Sequence, residues 1–138
     1  MKGLEKVLRG GLMIYILDSS ALIEVLGNSS RAQKVHDILR DSPVVTTSIS
    51  MHEVLAGALT EKDRFVIEGL FSTVRVLDHD SSAARAGALI EQELTRMGRK
   101  INKADILIAG ICTSHHAELV TCDADFAKIK GFSLKLIT

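Results

Sequence analysis

Residues 12–26, which read LMIYILDSSALIEVL, constrain the fold of this chain more than any other stretch. The apolar run from Leu12 to Leu17 stops at Asp18, and a new apolar pattern begins at Ala21, Leu22, Val25 and Leu26. An unbroken run of that kind suits a strand buried on both faces. The second pattern has a helical period, so Asp18 falls on a strand-to-helix turn. In an open parallel sheet that turn lies at the carboxyl edge, where ligands bind. An aspartate there is either a helix cap or a metal ligand, and the rest of the chain has to discriminate between them.

Four more strands are expected: Val44–Thr47 after Pro43, Thr73–Leu77, Leu119–Cys122 and Ser133–Ile137. Between them lie helical patterns at 19–27, around Val35, Ile38 and Leu39, from Ser50 through Leu59, and from Glu61 to Phe71. A longer one starts at Ser81, with Ala83, Gly87, Ile90, Leu94 and Met97 on one face, and breaks at Gly98-Arg99-Lys100. Asn102–Cys112 is apolar on nearly every side, which predicts a central, buried helix, and a short helix carries Phe126 and Ile129. Strands alternating with helices predict an α/β fold with a mainly parallel sheet and right-handed crossovers.

At 138 residues, 46% of them hydrophobic, the chain suits one domain over residues 12–138. Residues 1–11 read as an N-terminal extension, and Met13 as well as Met1 is a candidate translation start. Lys+Arg and Asp+Glu stand at 17 each, so no global positive field attracts nucleic acid and any such binding rests on a local patch. No apolar run approaches the roughly 20 residues that span a bilayer. Cys112 and Cys122 have neither CxxC nor zinc spacing and read as reduced thiols, which points to the cytoplasm.

Four acids follow a strand or open a helix: Asp18, Glu53, Asp105 and Asp123. Each has a plain structural explanation. Asp18 and Asp123 can cap helices, Ser50-x-x-Glu53 has the form of a capping box, and Asn102 as a cap puts Asp105 where the helix dipole favours an anion. Jointly they say more. If the first and fourth strands are neighbours, their terminal acids face one crevice, and Asp105 sits at the polar end of a buried helix. Converging carboxylates with no interleaved Lys or Arg raise one another's pKa values, a cost that a hard divalent cation removes. Ligation by oxygen alone selects Mg²⁺ or Mn²⁺ over zinc. Such centres suit attack of water on a phosphodiester.

On LDSSALIEVL, SISMHEVLAGA, INKADILIAG and TCDADF, taken in that order, the chain resembles the PIN-domain ribonucleases, especially the VapC-type toxins of prokaryotic toxin–antitoxin pairs. The likeness covers about residues 13–138. It implies a Rossmann-like three-layer α/β/α fold with five strands in the order 3-2-1-4-5, a homodimer, and an antitoxin partner. It also implies hydrolysis of single-stranded or structured RNA with one or two Mg²⁺ or Mn²⁺ ions held by Asp18, Glu53, Asp105 and Asp123. Glu53 would ligate the metal or orient the nucleophilic water, Ser50 and Thr121 would support the acids, and Asp125 is a candidate fifth carboxylate. Many VapC-type toxins have asparagine where Asp123 stands, whereas aspartate is common across the wider family.

Arg96, Arg99, Lys100 and Lys103 crowd four positive charges just before Asp105. They form a solvated loop or a seat for RNA phosphates. Tyr15 and four phenylalanines offer little for base stacking. His115-His116 ends the buried helix, where imidazolium complements its dipole. Two other classes compete. A non-catalytic PIN-like module binding RNA or protein has no need of a complete acid set. A phosphoacceptor receiver domain wants an acid pair at the first strand and a lysine after the fifth. Here a single acid ends the first strand, and Lys135 lies inside the fifth.

Overall fold

Five short strands alternate with six α-helices along residues 13–138, the part of the chain that the computed structural model describes. The expected extension over residues 1–11 lies outside these residues. The strands are β1 (Tyr15–Leu17), β2 (Val45–Thr47), β3 (Arg75–Leu77), β4 (Glu118–Thr121) and β5 (Leu134–Leu136). They pair in the order β3-β2-β1-β4-β5, and every pairing is parallel, so the sheet expected to be mainly parallel is wholly so. The helices are α1 (Ser19–Val25), α2 (Ser30–Leu39), α3 (Ser48–Gly57), α4 (Glu61–Phe71), α5 (Ser81–Arg96) and α6 (Lys103–Ser114). A 3-10 helix, Ala124–Lys128, links β4 to β5.

Successive strand residues point to opposite faces, so each strand feeds two cores. Ile16 stands opposite Val45 and Leu119, and these three pack with Ala83 and Leu94 of α5, Ile106 to Cys112 of α6, and Phe126. Leu17 stands opposite Val120, and this pair packs on the other face against Ala21, Leu22, Val35, Leu39, Val54 and Phe71. The unbroken apolar reading of β1 thus has its reason in helices on both sides. Met97, expected on the buried face of α5, is 38% exposed because the helix ends there.

Helix α3 begins earlier than its sequence suggests. Thr47, the last residue of β2, is the cap: its hydroxyl accepts the Ser50 N–H at 3.0 Å. The capping box expected of Ser50 and Glu53 is therefore not formed. Ser50 is fully buried within the first turn, its hydroxyl accepting from the Thr47 hydroxyl at 3.1 Å, and Glu53 lies beyond that turn on an exposed face. Among the described residues no helix is long and apolar enough to cross a membrane.

Candidate active site

β1 and β4 lie side by side where the strand order reverses, and each ends in a turn that bears an acid. The Asp18 N–H donates to the Val120 carbonyl at 3.3 Å, carrying the β1–β4 ladder one residue past β1. Its side chain is only 4% exposed. Oδ1 accepts from Ser20 Oγ at 2.6 Å and from the Ala21 N–H at 3.1 Å, and Oδ2 accepts from Thr121 Oγ1. An ionised carboxylate has about four acceptor positions, so roughly one stays free. Asp18 is thus a helix cap with capacity left over.

The two hydroxyls also bind the β4 turn to the β1 turn. Ser20 Oγ accepts the Cys122 N–H at 3.0 Å, and Thr121 Oγ1 accepts the Asp123 N–H at 3.0 Å. Thr121 was expected in a supporting role; Ser20 was not. Its only signal in the sequence is a hydroxyl two residues after a capping aspartate, a pattern common in ordinary helix starts. Replacing the buried Thr121 with valine keeps the shape and removes a donor to Asp18. The expected cost is about 1–3 kcal/mol of stability. The Asp18 pKa is expected to rise, because burial already pushes it up while the bonds from Ser20, Thr121 and Ala21 hold it down. Carboxyl-¹³C NMR titration reads that rise directly, and an unmoved Asp18 resonance contradicts it.

Asp105 enters from α6. Asn102 caps that helix by accepting the Ala104 N–H at 3.0 Å, which leaves Asp105, at the third helical position, without a capping task. Asp123 caps the 3-10 turn through Oδ1, which accepts the Asp125 N–H at 2.9 Å. One carboxylate oxygen from each of Asp105, Asp123 and Asp125 lies within 4.8 Å of the other two. Asp125, expected only as a supporting acid, therefore belongs to the tightest group. Asp18 and Glu53 lie outside it. Glu53 is tied to α1 by Ser19, whose hydroxyl donates to Oε1 at 3.5 Å.

Electrostatics join the five. The Asp105 pKa is pushed up to about 6, first by burial and then by the charges of Asp123, Glu53, Asp18 and Asp125. Glu53 is raised by burial and by Asp18, and Asp18 by burial, with a smaller push from Asp123. Carboxylates that raise one another in this way fit an all-oxygen cation site, and the donor set suits a hard divalent ion.

Without metal, the folded state holds a proton on Asp105 more tightly than the unfolded chain, whose carboxyl titrates near 3.8. The contribution of Asp105 to stability therefore falls as pH rises from 3.8 to about 6. Melting midpoints measured in EDTA across that window are expected to drop more steeply for wild type than for Asp105→Asn. Equal slopes contradict this.

The expectation that no cation interleaves with the acids is corrected by Lys128. From the end of the 3-10 helix its ammonium lies 3.2 Å from Asp125 Oδ1. The basic quartet divides in two. Arg96 pairs with Glu93, and Lys103 with Glu91, on the exposed side of α5. Arg99 donates to the Lys128 carbonyl at 2.7 Å, and the Lys100 ammonium meets no carboxylate among the described residues.

The chain is 29% identical over 125 residues to a tRNA(fMet)-specific endonuclease VapC of Shigella flexneri, covering 87% of this chain and 95% of that protein. Its fold superimposes on a chain of the DNA-bound VapBC complex of Salmonella typhimurium with a TM-score of 0.80 at 26% identity, covering 92% of this chain and 100% of that one. A chain of VapBC-5, a member of the VapBC family of toxin–antitoxin systems from Mycobacterium tuberculosis, matches with a TM-score of 0.67 at 26% identity, covering 90% and 97%. The PIN domain family matches residues 15–131. Because that match runs from the first residue of β1 past the last acid of the crevice, the chain belongs to the PIN domain family.

Proposed function

We propose that this chain is a divalent-metal-dependent endoribonuclease, the toxin of a type II toxin–antitoxin pair. One observation carries the reading: carboxylate oxygens of Asp105, Asp123 and Asp125, from α6 and the β4 turn, lie within 4.8 Å of one another, and burial followed by the charges of Asp123, Glu53, Asp18 and Asp125 raises Asp105 to about 6. A scaffold that only binds has no reason to bear that electrostatic cost. The VapC relatives named above are nucleases, which supports the same chemistry here.

Asp105, Asp123 and Asp125 would hold the ion, with the spare acceptor position of Asp18 beside them. A bound Mg²⁺ or Mn²⁺ supplies Lewis-acid stabilisation of the charge that develops on the phosphate oxygens. Glu53 is free of a capping role, and burial and the Asp18 charge raise its carboxyl, so it would take a proton from the attacking water. Ser20 and Thr121 fix the Asp18 carboxylate, so it need not reorganise during the reaction. The chain acts in the cytoplasm as a homodimer restrained by an antitoxin. Arg96, Arg99, Lys100 and Lys103 contribute to RNA binding, with the two glutamate-paired cations contributing least.

Cleavage of a fluorescent single-stranded RNA by purified protein in Mg²⁺, Mn²⁺ or EDTA tests the reading. Cutting that requires the metal is expected. A folded wild-type protein that binds Mn²⁺ yet leaves several unrelated RNAs intact, a tRNA among them, would sink it.

A further inference from the structure

A shallow cleft of about 550 Å³ opens between the loop after α5 and the 3-10 helix, lined by Gly98, Arg99, Lys100, Ala127 and Lys128. Three of its five lining residues are cationic and none is acidic. It meets the acidic crevice through one residue, since Lys128 borders the cleft and also contacts Asp125 at 3.2 Å.

The cations are held in place. Gly98 adopts φ +66°, a left-handed conformation that turns the chain off the end of α5, and the Arg99 N–H then closes on the Leu94 carbonyl at 2.9 Å. From the other side, Arg99 Nη1 donates to the Lys128 carbonyl at 2.7 Å and Lys128 Nζ to the Lys100 carbonyl at 3.4 Å. The loop and the 3-10 helix are thereby clasped together. The Arg99 guanidinium keeps most of its five donors, the Lys100 ammonium has no carboxylate partner among the described residues, and all three side chains are exposed. The Lys128–Asp125 pair is half in solvent, at 47% and 50% exposure, so it is weak and exchangeable.

Taking the ribonuclease reading as its premise, we infer that this cleft seats a backbone phosphate of the RNA next to the scissile one, gripped by Arg99, Lys100 and Lys128. The exposed Lys128–Asp125 pair leaves that ammonium able to exchange onto the phosphate. The substrate class is single-stranded RNA read through its backbone, because the cleft offers charge and no aromatic side chain for a base.

The test uses Lys100→Met, Lys128→Met and the double variant, which keep the methylene stems and remove the charge, together with Lys128→Arg. The probe is a 5′-fluorescein single-stranded RNA, with KM and kcat measured in Mn²⁺ at several salt concentrations. The double variant is expected to raise KM on the order of tenfold, and to flatten the salt dependence of log KM by about 0.7 per lysine. Lys128→Arg, which keeps the charge, is expected to recover most of the KM and salt slope lost in Lys128→Met, and Mn²⁺ affinity by calorimetry is expected not to fall in any variant. Unchanged KM and salt slope in variants that still cut overturn the inference. So does a loss confined to kcat, or one that follows reduced Mn²⁺ affinity. Should wild type fail to cut, anisotropy of the same RNA separates the two ideas. Weaker binding by the double variant with reduced salt dependence keeps the cleft even though this RNA is not hydrolysed, whereas equal binding removes the cleft.

Discussion

Exchanging Asp105 for asparagine is expected to cut metal-dependent RNA cleavage at least about 100-fold while leaving the protein folded. Asp105 is half-buried at the head of α6 and accepts no hydrogen bond among the described residues, so the amide removes no structural contact. It does remove one of the three carboxylates whose oxygens lie within 4.8 Å of one another. The metal-free variant is expected to melt at or above the wild-type temperature at neutral pH, since the charge that four neighbouring acids oppose is gone. Single-turnover cleavage in Mg²⁺, melting in EDTA and a calorimetric Mn²⁺ titration read the three effects separately. A variant cutting within a few-fold of wild type would move the chemistry elsewhere. A variant that melts much lower would make Asp105 a structural acid.

The second large effect is on stability. A methyl group at Gly110 would stand 2.5 Å from the Ala83 carbonyl oxygen and 3.0 Å from the Gly87 backbone N and Cα. All three atoms are backbone, so no side chain can swing away and α5 has to part from α6. Overpacking of that kind costs about 1–3 kcal/mol, and the closeness here points to the upper end. A fall of about 6–12 °C in melting midpoint is expected for Gly110→Ala. Gly87→Ala is the control from the same crossing: its methyl meets the Ile106 carbonyl at an ordinary 3.5 Å. Similar midpoints for the two variants would mean that the helices have room to adjust. Since α6 also carries Asp105, the α5–α6 contact, together with the packing of α6 on the sheet, positions that acid.

Much of this was legible in order along the chain. The strand-to-helix turn at Asp18 follows from six apolar residues ending in an acid, and the buried α6 from an apolar pattern that leaves no polar face. Helix α3 was misread at its start for a local reason. Thr47 and Ser50 are both competent caps, and the choice depends on where β2 stops pairing with β3, a register set across strands. Ser20 was missed because, apart from Asp18, its partners are 101 and 102 residues away, at Thr121 and Cys122. Lys128 stands three residues after Asp125, a spacing that means nothing until a 3-10 turn brings the two together.

By itself, then, the amino-acid sequence determined the alternation of elements, the two-sided burial of the strands and the identity of the acids that end them. These are properties of hydrophobic period and capping chemistry, which act over a few residues. Tertiary structure decided the rest. It made Asp105, Asp123 and Asp125 the close group, left Glu53 free of a cap, paired Arg96 and Lys103 with glutamates, and set Arg99, Lys100 and Lys128 around one cleft. Each of those outcomes depends on distances between side chains on different elements, and such distances exist only after the sheet has chosen its strand order and the helices have packed on its faces.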